Sequence, residues 1–548
     1  MIRYLKFSTA TAVLLSATAL SVPHSAAEPQ AAADLLLRGG TIYTGDAPPF
    51  RGDVAIRGDR IIYVGPKAPG TAARTIDATG LIVAPGFIDP HAHVNDALAS
   101  QDPATRLVLP FLTQGVTTAF IGVDGGGSPD VARTFGIADS DSGARGDGKD
   151  EAGLEQSSRD FGINFGAYVG LGAVRLRVVG AVDRPPTAPE REQMTALVDK
   201  AMCEGALGLS TGLFYAPQSY ATQDEVVLLA KVAAARGGLY DSHIRDESSY
   251  TIGLAGAVGE ALAVGRAAGI PVHIAHIKAL GVDVHGQAGA IIAQIETAQK
   301  AGQVVHADQY PWSASGTGLS AALLPRWAQD GGRAAMLDRF DDGAAMARMR
   351  PEIVENLRRR GGPASLLITS GPAAFEGKTL EQVAKDRGID PVDAAILILK
   401  QREAGVASFN QDEADIAAFM TRPWVVTSSD ASQGHPRYYA SYARKYATYV
   451  KEKGVLDLGA FIRQSSFATA RLFGLEGRGE LKAGAFADVI AFDPATFAPR
   501  ADYAHPALFS TGMRFVTVNG ALAIENGEPT GRAGGRPLPR KAAEAGCR

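Results

Sequence analysis

Eight apolar, β-rich runs recur along this 548-residue chain, mostly separated by stretches of helical pattern. They fall at residues 81–88, 116–123, 163–171, 206–210, 238–242, 272–277, 303–307 and 424–428. Short continuous apolar runs mark strands buried on both faces, and strands that alternate with helices build a parallel sheet. Eight repeats over roughly 390 residues favour an α/β fold of the (β/α)8 TIM-like barrel type over an open sheet. The spare material between residues 318 and 363 is helical in pattern, with Met336, Leu337, Phe340, Ile353 and Leu357 as its apolar positions. It reads as an insertion after strand seven, with an extra strand at 366–368.

The flanks differ from the middle. Residues 33–84 read as short strands around a Gly58-Asp59 turn, and residues 476–532 as further strands around Asn519-Gly520. Strand-rich ends enclosing an alternating centre imply one small β-sandwich domain assembled from both termini, with the barrel spanning 85–475. Residues 533–548, rich in Pro, Gly and Arg, read as a flexible tail. The first 27 residues have a basic start (Arg3, Lys6), an apolar stretch from 7 to 22 and a small-x-small site at Ser25-Ala26-Ala27. This is the pattern of a cleaved secretory leader, with cleavage near Ala27, and implies a periplasmic or secreted protein with no stable membrane span. Arg3 and Lys6 depart with the leader, so the formal charge moves from −4 to −6. Such mild acidity gives no reason to expect nucleic acid as a partner. The two cysteines, Cys203 and Cys547, lack metal-ligand neighbours, and a bridge so near the chain end would staple little; no role is read from them. Gly371 to Thr379 imitates a phosphate loop but has five residues between its glycines, so it reads as a loop-to-helix junction.

Polar residues sit where the candidate strands end. His91 and His93, Asp124, His243, His276 and Asp430 all occupy that position, the end of such barrels where βα loops converge on the active site. Imidazole nitrogens with carboxylate oxygens form a donor set suited to zinc. His91 and His93 are two residues apart, a spacing that lets both rings face one ion. His273, three residues before His276, should face the opposite side and be structural. Asp430, beside a metal-activated water, could take the proton as the water attacks and return it to the leaving amine. No Ser/His/Asp order or reactive cysteine supports a covalent route.

Several motifs together resemble the amidohydrolase superfamily: Pro85-Gly-Phe-Ile-Asp-Pro-His-Ala-His, the pair His243 and His276, Asp430, and Gly479-Glu-Leu-Lys-Ala-Gly-Ala-Phe-Ala-Asp. Gly208-Leu-Ser-Thr-Gly-Leu-Phe-Tyr-Ala-Pro, His243-Ile-Arg-Asp-Glu, His276-Ile-Lys, Asp308-Gln-Tyr-Pro-Trp and Gly434-His-Pro-Arg-Tyr-Tyr narrow this to the D-aminoacylase (N-acyl-D-amino-acid deacylase) family. The resemblance implies metal-dependent hydrolysis of a small N-acyl amino acid by one or two zinc ions. It assigns His91, His93 and Asp430 to a more exposed metal position and His243 and His276 to a tighter one. Lys278, Tyr310 and Arg437 match positions that grip the substrate's α-carboxylate, a role that suits two cations and a phenol.

Two positions depart from the family. Asp124 stands where a bridging cysteine is expected, a harder ligand that leaves metal count and preference open. Gly316, flanked by Ser315 and Thr317, aligns with a carboxylate-binding serine. Residues 206–213 contain no lysine, which argues against relatives that bridge two metals with a carboxylated lysine. A dipeptidase or other amidase on the same fold, and a binding protein without catalysis, remain the alternatives. Side-chain preference, acyl length and oligomeric state are not legible.

Overall fold

The computed structural model describes residues 33–136, 160–541 and 547; the leader expected at 1–27 lies outside them. Among the described residues, eight parallel strands close a barrel. Phe87–Asp89 pairs with Val116–Ile121, which pairs with Asn164–Ala167. That third strand is interrupted at Tyr168 and continues as Val169–Gly170 beside Gly208–Gly212. Leu239–His243, Val272–Ile274, Val305–Gln309 and Val425–Thr427 follow in order. A parallel bridge between Ala92 and Ala431 joins the last strand to the first. Outward side chains such as Val272, Ile274 and Val305 pack against the surrounding helices in the largest apolar core. Ile88, Phe120, Tyr168, Leu207 and Phe473 fill the barrel floor, so the polar strand ends open only upward.

The run at 81–88 is two strands rather than one. Ile82–Pro85 belongs to a separate nine-stranded sheet, and only Phe87–Asp89 enters the barrel. Gly86 makes the join, where a Cβ would lie 2.2 Å from Thr117 Oγ1. In the nine-stranded sheet, Ala33–Ile42 pairs antiparallel with Phe50–Arg57 and parallel with both Ala72–Asp77 and Ile82–Pro85. Ile82–Pro85 in turn pairs antiparallel with Val489–Phe492 from the other end of the chain. The shared core includes Leu35, Ile42, Val54, Val83, Leu481 and Val489.

The insertion is larger than 318–363. It starts at the strand Ala314–Gly318 and returns at Gly405–Phe409, which lies between Ala314–Gly318 and Leu366–Ser370 in a three-stranded antiparallel sheet. Five α-helices accompany it, and Leu319, Met349, Ile353, Ile368, Ile398 and Val406 give it a core of its own. The returning strand pairs over nearly a hundred positions, a contact that local periodicity does not encode.

The tail is not flexible over its described part. Gly535 bridges to Phe161 and Pro537 to Phe165, and Arg540 donates to the carbonyls of Arg236 and Gly237. Cys547 forms a disulfide with Cys203, Cα to Cα 5.5 Å. A role therefore replaces the absence of one read from the sequence: the bridge holds a segment already packed on the barrel. No helix among the described residues is long and apolar enough to cross a membrane.

Candidate metal centre and substrate pocket

His91 and His93 leave the first barrel strand, and their backbones are tied across the closure. Asp430 N–H donates to the His91 carbonyl at 3.0 Å, and His93 N–H to the Ala431 carbonyl at 3.0 Å. Asp89, fully buried, accepts from the N–H groups of both His91 and Ser429 and so locks the two loops together. Burial pushes its carboxyl up to about 7, although Ser429 and His91 oppose the rise.

Asp124 lies at the centre. Its Oδ1 is 3.3 Å from His91 Nε2, 3.3 Å from His243 Nδ1 and 3.4 Å from His276 Nε2, while Oδ2 is 3.4 Å from His93 Nε2. Asp430 Oδ1 is 3.3 Å from His93 Nε2. The ligand atoms form two groups that share Asp124: His91, His93, Asp124 and Asp430, and Asp124, His243 and His276. Zinc held tetrahedrally at about 2.0–2.1 Å sets its ligand atoms about 3.3–3.4 Å apart, the separations found here. His91 Nε2, His243 Nδ1 and Asp124 Oδ1, which face one another in the cluster, are buried without a hydrogen-bond partner. Such orphaned donors and acceptors are rare in a folded interior, and an ion between them satisfies them together. The residues fit zinc.

Backbone strain marks the same residues. Among the described residues six non-glycine positions have positive φ, and three of them are Asp124 (54°), His276 (33°) and Asp430 (48°). Left-handed conformations cost about 1–3 kcal/mol each and persist where the surroundings over-determine them.

His276 shows what the strain does. Regular pairing stops at Ile274, so strand alternation no longer relates His273 to His276. His273 therefore does not face away from the ligands. It lies inside the barrel one layer below them, with its ring against Phe473 and Nε2 2.8 Å from Asp308 Oδ2. The other Asp308 oxygen accepts the His276 N–H at 3.1 Å. His273 thus supports His276 through Asp308.

Glu247, not singled out from the sequence, is the carboxylate behind the enclosed pair. It is buried, its Oε1 is 3.2 Å from His276 Nδ1 and 2.5 Å from Lys278 Nζ, and its Oε2 is 3.7 Å from His243 Nε2. A carboxylate within hydrogen-bond distance of the far nitrogen of a histidine, as Oε1 is for His276, fixes its tautomer and leaves the near nitrogen free to bind a metal. The signal was its position four residues after His243. Burial disfavours the ionised form of Glu247, but Lys278 and both histidines hold it well below the usual carboxylate range.

Lys278, Tyr310 and Arg437 converge beside this cluster. The cations stand 5.6 Å and 5.2 Å from the Tyr310 ring centroid, and the phenol oxygen accepts from Gln411 at 3.0 Å. Lys278 is occupied by Glu247, and Arg437 Nη1 lies 2.6 Å from Asp430 Oδ2. Against the effect of burial, Arg437 and His93 hold Asp430 well below the ordinary carboxylate range. Desolvation by its neighbours works against a charge on His93, whose ring is partly exposed, but Asp124 and Asp430 push it up to about 9. Gly316 makes room for Arg437: a Cβ there would meet its Nη2 at 2.9 Å. Together these groups line a cavity of about 440 Å³ that also takes in Phe214, Tyr215, Leu280, Ser315, Thr317 and Arg360.

The amidohydrolase family matches residues 74–524. The D-aminoacylase of Alcaligenes xylosoxydans xylosoxydans is 32% identical over 93% of this chain and 98% of its own length. The N-acyl-D-glutamate deacylase of the same organism is 33% identical over 94% and 98%. The crystal structure of N-acyl-D-glutamate deacylase from Bordetella bronchiseptica, complexed with zinc and a phosphonate mimic of the tetrahedral intermediate, superposes with a TM-score of 0.76 at 29% identity, covering 93% of this chain and all of the other. A barrel whose strand ends gather four histidines and two aspartates, in a chain matched along nearly its whole length, belongs to the amidohydrolase family.

Proposed function

We propose that this protein is a zinc-dependent deacylase that hydrolyses the amide bond of N-acyl-D-amino acids. The observation that carries the reading is Asp124 Oδ1 within 3.4 Å of nitrogens from three histidines on three separate segments, beside a cavity with two cations and a phenol. His91, His93, Asp124 and Asp430 would hold one ion, and Asp124, His243 and His276 a second. Zinc bound there supplies Lewis acidity and lowers the pKa of water toward ~7.

The chain's own residues do the rest. Arg437, Tyr310 and Lys278 bind the α-carboxylate and aim the scissile amide at the cluster. Asp430 Oδ1 accepts the proton of the attacking water and passes it to the departing amine nitrogen. Arg437 already touches Asp430, so a substrate carboxylate that draws on the same guanidinium couples binding to the freedom of the base. Enclosure of Glu247, His243 and His276 keeps bulk water from competing. We further propose that the protein is exported, a reading supported by the Cys203–Cys547 disulfide, since such bonds persist in oxidising compartments.

The test is a panel of N-acetyl-D-amino acids, their L-enantiomers and dipeptides, assayed with and without zinc. Zinc-dependent release of D-amino acids, lost in Asp430→Asn with zinc still bound, is the expected result. Turnover of dipeptides alone overturns the substrate class, and near-normal activity of Asp430→Asn overturns the proton role.

A further inference from the structure

His435 lines the cavity beside Arg437 and has both ring nitrogens engaged. It is 2% exposed, with the rings of Trp312 and Tyr503 edge-on against its own, centroids 5.8 and 5.2 Å away. Its Nδ1 accepts the Arg437 N–H at 3.1 Å, which leaves the ring proton on Nε2, 3.3 Å from the Ala314 carbonyl that accepts it. A neutral imidazole has one donor and one acceptor, and this ring uses each on a different part of the protein. Burial and the charge of Arg437 hold its pKa well below the ordinary imidazole range, against the pull of Asp430.

The two contacts join elements that are far apart in the chain. Arg437 opens the helix Arg437–Arg444, whose first amides have no carbonyl one turn back. Pro436 has no N–H to satisfy, and His435 Nδ1 gives Arg437 the acceptor that a Ser or Asp side chain gives at other helix starts. Ala314 begins the insertion strand Ala314–Gly318, which carries the cavity residues Ser315, Gly316 and Thr317. The Gly316 carbonyl accepts from Arg437 Nη2 at 3.4 Å, and Ser432 Oγ accepts from both Nε and Nη2. One residue before His435, Gly434 adopts a φ of 78° so close to the insertion that a Cβ there would meet the Thr369 carbonyl at 2.4 Å. The loop 432–437 is thus seated on the insertion, and the guanidinium is aimed from that seat.

We propose that His435 is a positioning residue for substrate binding: it fixes the backbone from which Arg437 reaches the α-carboxylate and ties that backbone to the insertion strand lining the same pocket. The inference rests on the deacylase reading for its substrate, and it gives the imidazole neither a proton transfer nor a direct grip. With the tie cut, Arg437 loses its register against Gly316 and Asp430. The cost then falls on recognition of the α-carboxylate and not on the metal ligands, none of which His435 touches.

The experiment uses the zinc-loaded protein with N-acetyl-D-leucine and N-acetyl-D-leucinamide, which differ only in the α-carboxylate, read by kcat/KM and by calorimetric binding. In His435→Ala the preference for the carboxylate should fall about ten- to a hundredfold, the worth of a hydrogen bond to a charged group, while handling of the amide and zinc affinity stay as in the wild type. His435→Asn, whose side-chain oxygen takes the place of Nδ1, should keep most of the preference. His435→Gln, whose amide nitrogen takes the place of Nε2, should keep less, and both serve if His435→Ala does not fold. A preference unmoved by the substitutions overturns the inference, as does a wild type that treats both compounds alike. An equal loss on both compounds, the mark of a merely structural role, overturns it too. If no N-acyl-D-amino acid is cleaved or bound, the deacylase reading fails, and crystal structures of zinc-loaded His435→Ala or, failing it, His435→Gln decide. Arg437 kept against Asp430 and Gly316 overturns the positioning role, and Arg437 displaced with Asp430 in place upholds it.

Discussion

Replacing Glu247 by Gln keeps the shape of the side chain and removes one buried charge. In the native structure that charge faces Lys278 Nζ at 2.5 Å and His276 Nδ1 at 3.2 Å. In the variant the Lys278 ammonium, itself only 5% exposed, keeps the His276 carbonyl at 3.0 Å but no anion. Removing one partner of a buried ion pair typically costs about 3–5 kcal/mol, because the other charge stays buried. Metal binding suffers separately, since a carboxylate behind a ligating histidine is worth about 10- to 100-fold in affinity. The measurements are urea unfolding of the metal-free protein and zinc affinity by chelator competition. Lys278→Met in the Glu247→Gln background should recover most of the lost stability, because it removes the stranded charge, but not the zinc affinity. If Glu247→Gln changes stability by less than about 0.5 kcal/mol and leaves zinc affinity within twofold, the assignment of Glu247 as the positioning carboxylate is refuted.

Three further expectations concern the scaffold. Arg175 and Glu225 form a fully enclosed pair at 2.6 and 2.7 Å, so Glu225→Gln should lower unfolding free energy by about 3–5 kcal/mol, and a loss below about 1 kcal/mol would contradict the burial argument. Lys445, buried against Thr427 and Gln464, has its amine pulled down by burial to about 7 from an ordinary 10.5. Below pH 7 both folded and unfolded chains are protonated there; between pH 7 and 10.5 only the unfolded chain holds the proton, so the stability contributed by this site rises with pH through that window, by about 4–5 kcal/mol in all. The wild-type minus Lys445→Met difference in urea midpoint between pH 6 and 10 should show the rise, and a flat difference would sink it. The disulfide closes a loop of 344 residues, for which chain entropy alone predicts about 5–6 kcal/mol. Because the tail can peel away locally, Cys547→Ser should show much less than that in global unfolding, with faster hydrogen exchange around Phe161–Gly535; unchanged exchange there would show that the bridge holds nothing.

Much of the candidate metal centre was legible because barrel chemistry follows strand order. His91, His93, Asp124, His243, His276 and Asp430 each end a visible apolar run, and a closed barrel brings such ends together whatever their distance in sequence. What lay beyond reach depends on contacts between segments that carry no local signal. The strand Gly405–Phe409 is an ordinary apolar run until it slots between two others, and Cys547 lies beside Cys203 in a tail that also packs beside Phe165. Strand alternation gives the wrong face for His273 because the backbone leaves the strand after Ile274. Glu247 was in view within His243-Ile-Arg-Asp-Glu, yet its purpose depends on Lys278 arriving from the next strand. The pairing of Arg437 with Asp430 follows from the space left by Gly316, which a motif records only as a missing serine.

The seam between Ile82–Pro85 and Val489–Phe492 also sets a timetable for biosynthesis. While the ribosome is still at work, the early strands present a row of unpaired amides along Ile82–Pro85, and the polypeptide that will cover it has yet to be made. The sheet is completed only once the strand Val489–Phe492 has been made, so products truncated before residue 489 are left with a bare strand edge of the kind that pairs with other chains.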